Sequence, residues 1–90
     1  MYFAVICKDK PDALQIRLDT REAHLNYIAQ TEERVFMAGP FLQDGKMTGS
    51  LVIIEGDDIG VAQDWAKNDP YAHAGLFAEV TVQEWKKVVG

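Results

Sequence analysis

VFMAGPFLQDGKMTGSLVIIE, residues 35–55, decides the fold. Two strand-like runs, Val35 to Leu42 and Thr48 to Glu55, flank QDGKM, and its Asp44-Gly45 pair suits the tight turn of a hairpin. Gly39 and Pro40 interrupt the first run, which fits an edge strand or a bulge better than the centre of a sheet. An isolated hairpin is barely stable in water, so the flanking sequence must supply its partners.

Upstream, Tyr2 to Cys7 is apolar at nearly every position and reads as a strand covered on both faces. KDKPDA then turns the chain, with Pro11 placed to enter a helix. From Asp12 to about Glu33, apolar residues recur at Leu14, Leu18, Leu25 and Ile28, with Arg21 filling the gap in the stripe. The Asp19-Thr20 pair offers a second start, from which a longer helix would run. Downstream, GDDIG opens another helix, capped by Asp57 or Asp58. Ala62, Trp65, Ala66 and Asp69 follow at i, i+3, i+4 and i+7, and Leu76 to about Glu84 alternates as a last strand. The order β-α-β-β-α-β predicts a ferredoxin-like α+β fold. Its four-stranded antiparallel sheet would carry both helices on one face, in a single domain over residues 1–90.

The helices can cover only one face, yet Tyr2/Ala4/Ile6 and Phe3/Val5/Cys7 offer apolar residues to both. An uncovered apolar face is too large a patch for a stable monomer. Ninety residues bury only about two-thirds of their unfolded surface, and a lone Cys7 forms no intrachain disulfide. A homodimer packed sheet to sheet is the expected remedy, with Cys7 a small buried residue. Nine basic against 14 acidic residues, a net charge of −5, argue against nucleic acid. The longest apolar run, MYFAVIC, is too short for a bilayer and lacks the basic lead of a signal peptide, so the expected location is the cytoplasm.

Asp69 is the first candidate for chemistry. It continues the buried stripe of the second helix, and Pro70 disfavours helical backbone at the residue before it. A carboxylate at a helix C-terminus is opposed by the helix dipole, so a compensating group is expected. Arg21 and His24 border the inner face of the first helix, on the same side of the sheet. An imidazole held by a carboxylate is the basic unit of acid–base catalysis, because the carboxylate fixes the tautomer and raises the basicity of the ring. The same spacing is satisfied if Arg21 pairs with Asp69 for structure and His24 is a semi-buried residue at the helix edge.

R-x-x-H-L at Arg21 to Leu25, A-G-P at Ala38 to Pro40, T-G-S at Thr48 to Ser50, and D-P-Y followed by A-G at Asp69 to Gly75 occur in that order. Together they resemble the YCII-like family over essentially the whole chain. The resemblance implies a dimeric α+β barrel and an active site built on a His–Asp pair, here His24 and Asp69, with a nearby serine at Ser50. The connection from A-G-P to T-G-S is short, so the mouth of the site differs from that of a relative with a longer loop.

Arg21 is placed to anchor an anionic substrate and Tyr71 to line the pocket. The Ser50 hydroxyl is placed to bind a substrate or His24, and not to act as a nucleophile, since no oxyanion-hole motif surrounds it; His73 has no predictable partner and reads as a solvated loop residue. No metal-ligand set and no phosphate-binding glycine loop occur, so no cofactor is expected. The residues and the resemblance together imply a small cofactor-free enzyme that moves protons on a small anionic or phenolic molecule, by isomerisation, elimination or dehalogenation. The competing expectation is a non-catalytic dimer that binds a small molecule or serves as a scaffold.

Overall fold

The computed structural model describes residues 1–90. Strand β1 (Tyr2–Asp9) leads to helix α1 (Leu14–Gln30), the hairpin β2 (Val35–Gln43) and β3 (Lys46–Glu55), helix α2 (Ile59–Asn68), a single turn α3 (Pro70–His73), and strand β4 (Phe77–Trp85). The sheet order is β2-β3-β1-β4 with every pair antiparallel, which is the ferredoxin-like arrangement. The hairpin turns through Asp44 (φ 51°) and Gly45 (φ 78°), both in the left-handed region that a mirror-image turn requires. As expected, β2 is an edge strand. Its register shifts, however, fall between Val35 and Met37 and between Phe41 and Leu42, while Gly39 and Pro40 stay in register opposite Leu51 and Ser50.

The core lies between one face of the sheet and α2. Phe3, Val5 and Cys7 from β1 and Val52 and Ile54 from β3 meet Ala62, Trp65 and Ala66 of α2. Each fully buried side chain of this size stabilises the fold by about 1.5–3 kcal/mol. Trp65 also fastens the end of α1 to α2: its indole N–H donates to Thr31 Oγ1 over 2.9 Å, and its carbonyl accepts from the Tyr27 hydroxyl over 2.8 Å. Thr31 ends α1 as its cap and donates in turn to the Tyr27 carbonyl.

Four local expectations need correction. Pro11 does not enter the helix; it forms a turn with Asp12 (φ 56°), and α1 starts after Ala13. Asp19 does not start a second helix, because its carboxylate is taken by Gln15 one turn earlier, and α1 runs unbroken. Asp58 occupies the cap position of α2 in extended backbone, but its side chain makes no cap bond. The largest difference is the rotation of α1. Leu14, Leu18 and Leu25 are 39%, 47% and 45% exposed, whereas the buried residues of the helix are Arg17 and His24. The polar edge faces inward, since α1 spans a cleft beside the sheet and its inner side meets polar partners.

On the opposite face of the sheet, Ala4, Ile6, Met37, Leu51, Ile53 and Trp85 line a shallow apolar groove that no element of this chain covers. No helix is long and apolar enough to cross a membrane.

Candidate active site

The cleft lies between α1 and the β2–β3 hairpin, with a volume of about 160 Å³. Its inner wall carries Arg17, His24, Ser50 and Tyr71; its outer wall is Ala38, Gly39, Pro40 and Met47. All four inner side chains are buried.

Asp69 is placed by its own sequence neighbours. Pro70 holds it in extended backbone (φ −63°, ψ 127°), which ends α2. The same residue then caps α3: Oδ1 accepts the Tyr71 N–H over 3.0 Å, with Pro70 at the first helical position, where proline is favoured. Asp69 thus closes one helix and opens the next, and the amide of α3 offsets the unfavourable C-terminus of α2. This turn was not foreseen from the sequence, although D-P-Y is its signature.

The same Oδ1 bonds His24 Nδ1 over 2.9 Å, and Asp69 is 2% exposed. A carboxylate only accepts, so it takes the proton on Nδ1, and neutral His24 carries its lone pair on Nε2. That nitrogen makes no bond to protein, and His24 lines the cleft. Tyr71 stacks on the imidazole, with ring centroids 4.0 Å apart and planes 18° from parallel. The Arg17 guanidinium also lies over the Tyr71 ring, 4.7 Å from its centroid. Burial raises the Tyr71 phenol above its ordinary pKa, Arg17 pulls the other way, and Asp69 adds to the rise, so the group stays a phenol at neutral pH.

Arg17 is the inner residue that the apolar pattern concealed. Its Nε and Nη2 grip both oxygens of Asp9 at 2.8 Å, and Nη2 also donates to Ser50 Oγ over 2.9 Å. Burial works against the charge of Arg17, but the Asp9 carboxylate outweighs it and holds the guanidinium protonated above its ordinary range. The signal was present: Arg17, Arg21 and His24 are spaced i, i+4 and i+7, a polar stripe beside the apolar one. Arg21 itself is exposed at the rim of the cleft and forms no ion pair. Ser50 is bonded to Arg17 and not to His24. His73, at the end of α3, is exposed and outside the cleft.

Gly49 explains the middle of T-G-S. A Cβ there would overlap the Cys7 carbonyl oxygen across the β1–β3 ladder, so the strands close up beside Ser50 only around glycine. Burial pushes the Cys7 thiol up to about 12, with the Asp69 charge adding to the rise, so it is neither a thiolate nor a nucleophile at neutral pH. No cluster of three or more His, Cys, Asp or Glu side chains is arranged to hold a metal ion.

The model of the YCII-related domain matches residues 1–86. The chain belongs to the YCII-related family. Protein YciI of Escherichia coli O6:H1 is 38% identical over 97 residues, covering 98% of this chain and 99% of that one. An uncharacterized protein of Haemophilus influenzae matches with the same identity and coverage. Among solved structures, the chain is similar to 5-chloro-2-hydroxyhydroquinone dehydrochlorinase (TftG) from Burkholderia phenoliruptrix AC1100, determined in complex with 2,5-dihydroxybenzoquinone. The TM-score is 0.89 at 37% identity, covering 96% of this chain and 94% of that one. This YCII-related chain thus has a close structural similarity to an enzyme that acts on a small molecule.

Proposed function

We propose that this member of the YCII-related family is a cofactor-free enzyme of general acid–base type, acting on a small hydroxylated or halogenated ring. The observation that carries the proposal is the buried 2.9 Å contact between His24 Nδ1 and Asp69, which leaves Nε2 free in the cleft. In this reading His24 Nε2 removes a proton from the ligand, or returns one to it, and Asp69 keeps the ring oriented and favours the imidazolium that forms. In an elimination, the electron pair released by deprotonation moves through the ring and expels the leaving group as an anion. Tyr71 supports the imidazole by stacking, and Arg21 at the rim attracts a negatively charged ligand.

The size of the cleft, about 160 Å³, supports a one-ring ligand. An engineered apolar cavity of ~150 Å³ holds benzene. The ligand of the dehydrochlorinase is also a single ring. The assay is incubation with chlorinated and unchlorinated hydroxyhydroquinones, following chloride release and quinone absorbance. Turnover above the solution rate that saturates with substrate is expected. Saturable binding without turnover would instead assign the protein to ligand sensing.

A second copy of the chain is proposed to cover the apolar groove on the open sheet face, as the dimeric α+β barrel arrangement would have it. Sedimentation equilibrium at micromolar concentration is expected to give about twice the 10.1 kDa chain mass. A single species at the chain mass throughout would refute that packing.

A further inference from the structure

Ser50 makes one hydrogen bond, and in it the hydroxyl oxygen is the acceptor: Arg17 Nη2 donates to Oγ over 2.9 Å. A guanidinium has no acceptor, so the direction of this bond is fixed. Arg17 is itself immobilised by its two bonds to Asp9 and by its contact with the Tyr71 ring. No protein group accepts the Ser50 proton, although the residue is 4% exposed and lines the cleft. One side of the hydroxyl is therefore committed, and its proton is left for whatever enters.

We propose that Ser50 is the oxyanion donor of the cleft, held as a donor by Asp9 and Arg17, and that the ligand presents a deprotonated oxygen, phenolate or enolate, to it. This rests on the reading that the cleft takes a small ligand, but not on turnover. Donation from a cation into Oγ polarises the O–H bond and strengthens it as a donor. The same contact disqualifies Ser50 as a nucleophile. A nucleophilic serine needs a base to take its proton, and His24 is bonded to Asp69 and not to Ser50. Arg17 is a positioning residue: it acts on the ligand through Ser50.

The probe is 4-nitrophenol, a one-ring phenol that ionises near neutral pH and is yellow only as the phenolate. Spectrophotometric titration across that range gives its affinity in each form. Wild type is expected to prefer phenolate over phenol. Ser50→Ala is expected to reduce that preference roughly tenfold to a hundredfold, the usual weight of a hydrogen bond to a charged group. Ser50→Thr retains the hydroxyl and is expected to recover most of it. Arg17→Lys, which keeps a cation beside Asp9 but cannot maintain all three contacts, is expected to shift the preference in the same direction as Ser50→Ala. A merely structural role for these residues would weaken both forms alike.

An unchanged preference in Ser50→Ala overturns the donor role while leaving the ligand class standing, as does an equal loss for phenol and phenolate. A covalent adduct on Ser50, found by mass spectrometry after exposure to chlorinated hydroxyhydroquinone, overturns it as well. Wild type that fails to bind 4-nitrophenol at millimolar concentration overturns the ligand class, and this proposal with it.

Discussion

His24→Gln is expected to lower turnover by roughly 10²–10⁴-fold, the usual contribution of a positioned acid–base group, while leaving the fold in place. Glutamine can still donate an amide N–H towards Asp69, so the carboxylate keeps a partner beside its bond from the Tyr71 amide. What it cannot do is exchange a proton at neutral pH. The thermal melt separates chemistry from scaffolding before any substrate is identified. A melting temperature within a few degrees of wild type is the outcome expected of a dyad that serves the ligand. If His24 were mainly a structural tie, the variant would lose several kcal/mol, because a buried carboxylate left short of a partner is strongly destabilising. At about 4–8 °C per kcal/mol for a domain of this size, that loss would be plain, and it would sink the acid–base assignment.

Arg17→Met is expected to have the opposite profile, with a large loss of stability whatever the ligand. Asp9 and Arg17 side chains are 7% and 3% exposed and share two 2.8 Å bonds. Removing the guanidinium leaves a buried carboxylate without its counter-charge, a loss of about 3–5 kcal/mol. The melting temperature should fall by roughly 12–40 °C at fixed protein concentration. The control is the double variant Asp9→Leu/Arg17→Met, which removes both charges and is expected to recover most of the stability, since apolar replacement of a whole buried pair is often neutral. A single variant that melts within a few degrees of wild type would show the pair to be dispensable. A double variant no better than the single would show that the loss came from packing.

These two substitutions also mark what was legible in the sequence. The hairpin and the strand order followed from turn chemistry and alternation, both local signals; helical spacing brought Arg21 and His24 to the same side as Asp69, and the resemblance to the YCII-like family singled out His24 as its partner. Arg17 did not follow, because the apolar stripe of Leu14, Leu18 and Leu25 pointed to the wrong buried face. Amphipathic patterning assumes that the inner side of a helix is apolar, and α1 breaks the assumption by turning its charged edge to a cleft. Asp9 was equally hidden. Its partner lies eight residues away across a turn whose course depends on the left-handed Asp12, and no periodicity predicts such a contact. The turn α3 was missed for a different reason: four residues are too few for a pattern, and only the capping chemistry of D-P-Y betrays it.

The β2–β3 hairpin has a consequence for how such proteins diversify. His24, Asp69 and Ser50, the residues proposed to act on a ligand, stand on α1, on the α2–α3 junction and on β3, whereas the outer wall of the cleft is the hairpin arm, Ala38, Gly39 and Pro40 of β2 and Met47 of β3. Lengthening that arm costs little, since each doubling of a flexible loop adds only about 0.6 kcal/mol of closure entropy. Insertions at its tip can therefore accumulate without disturbing the dyad. Under the proposed function, selection of the ligand and the chemistry performed on it lie on separate segments of chain, and a lineage can change the first by editing one hairpin. The two-residue turn at Asp44 and Gly45 is the shortest form of that arm.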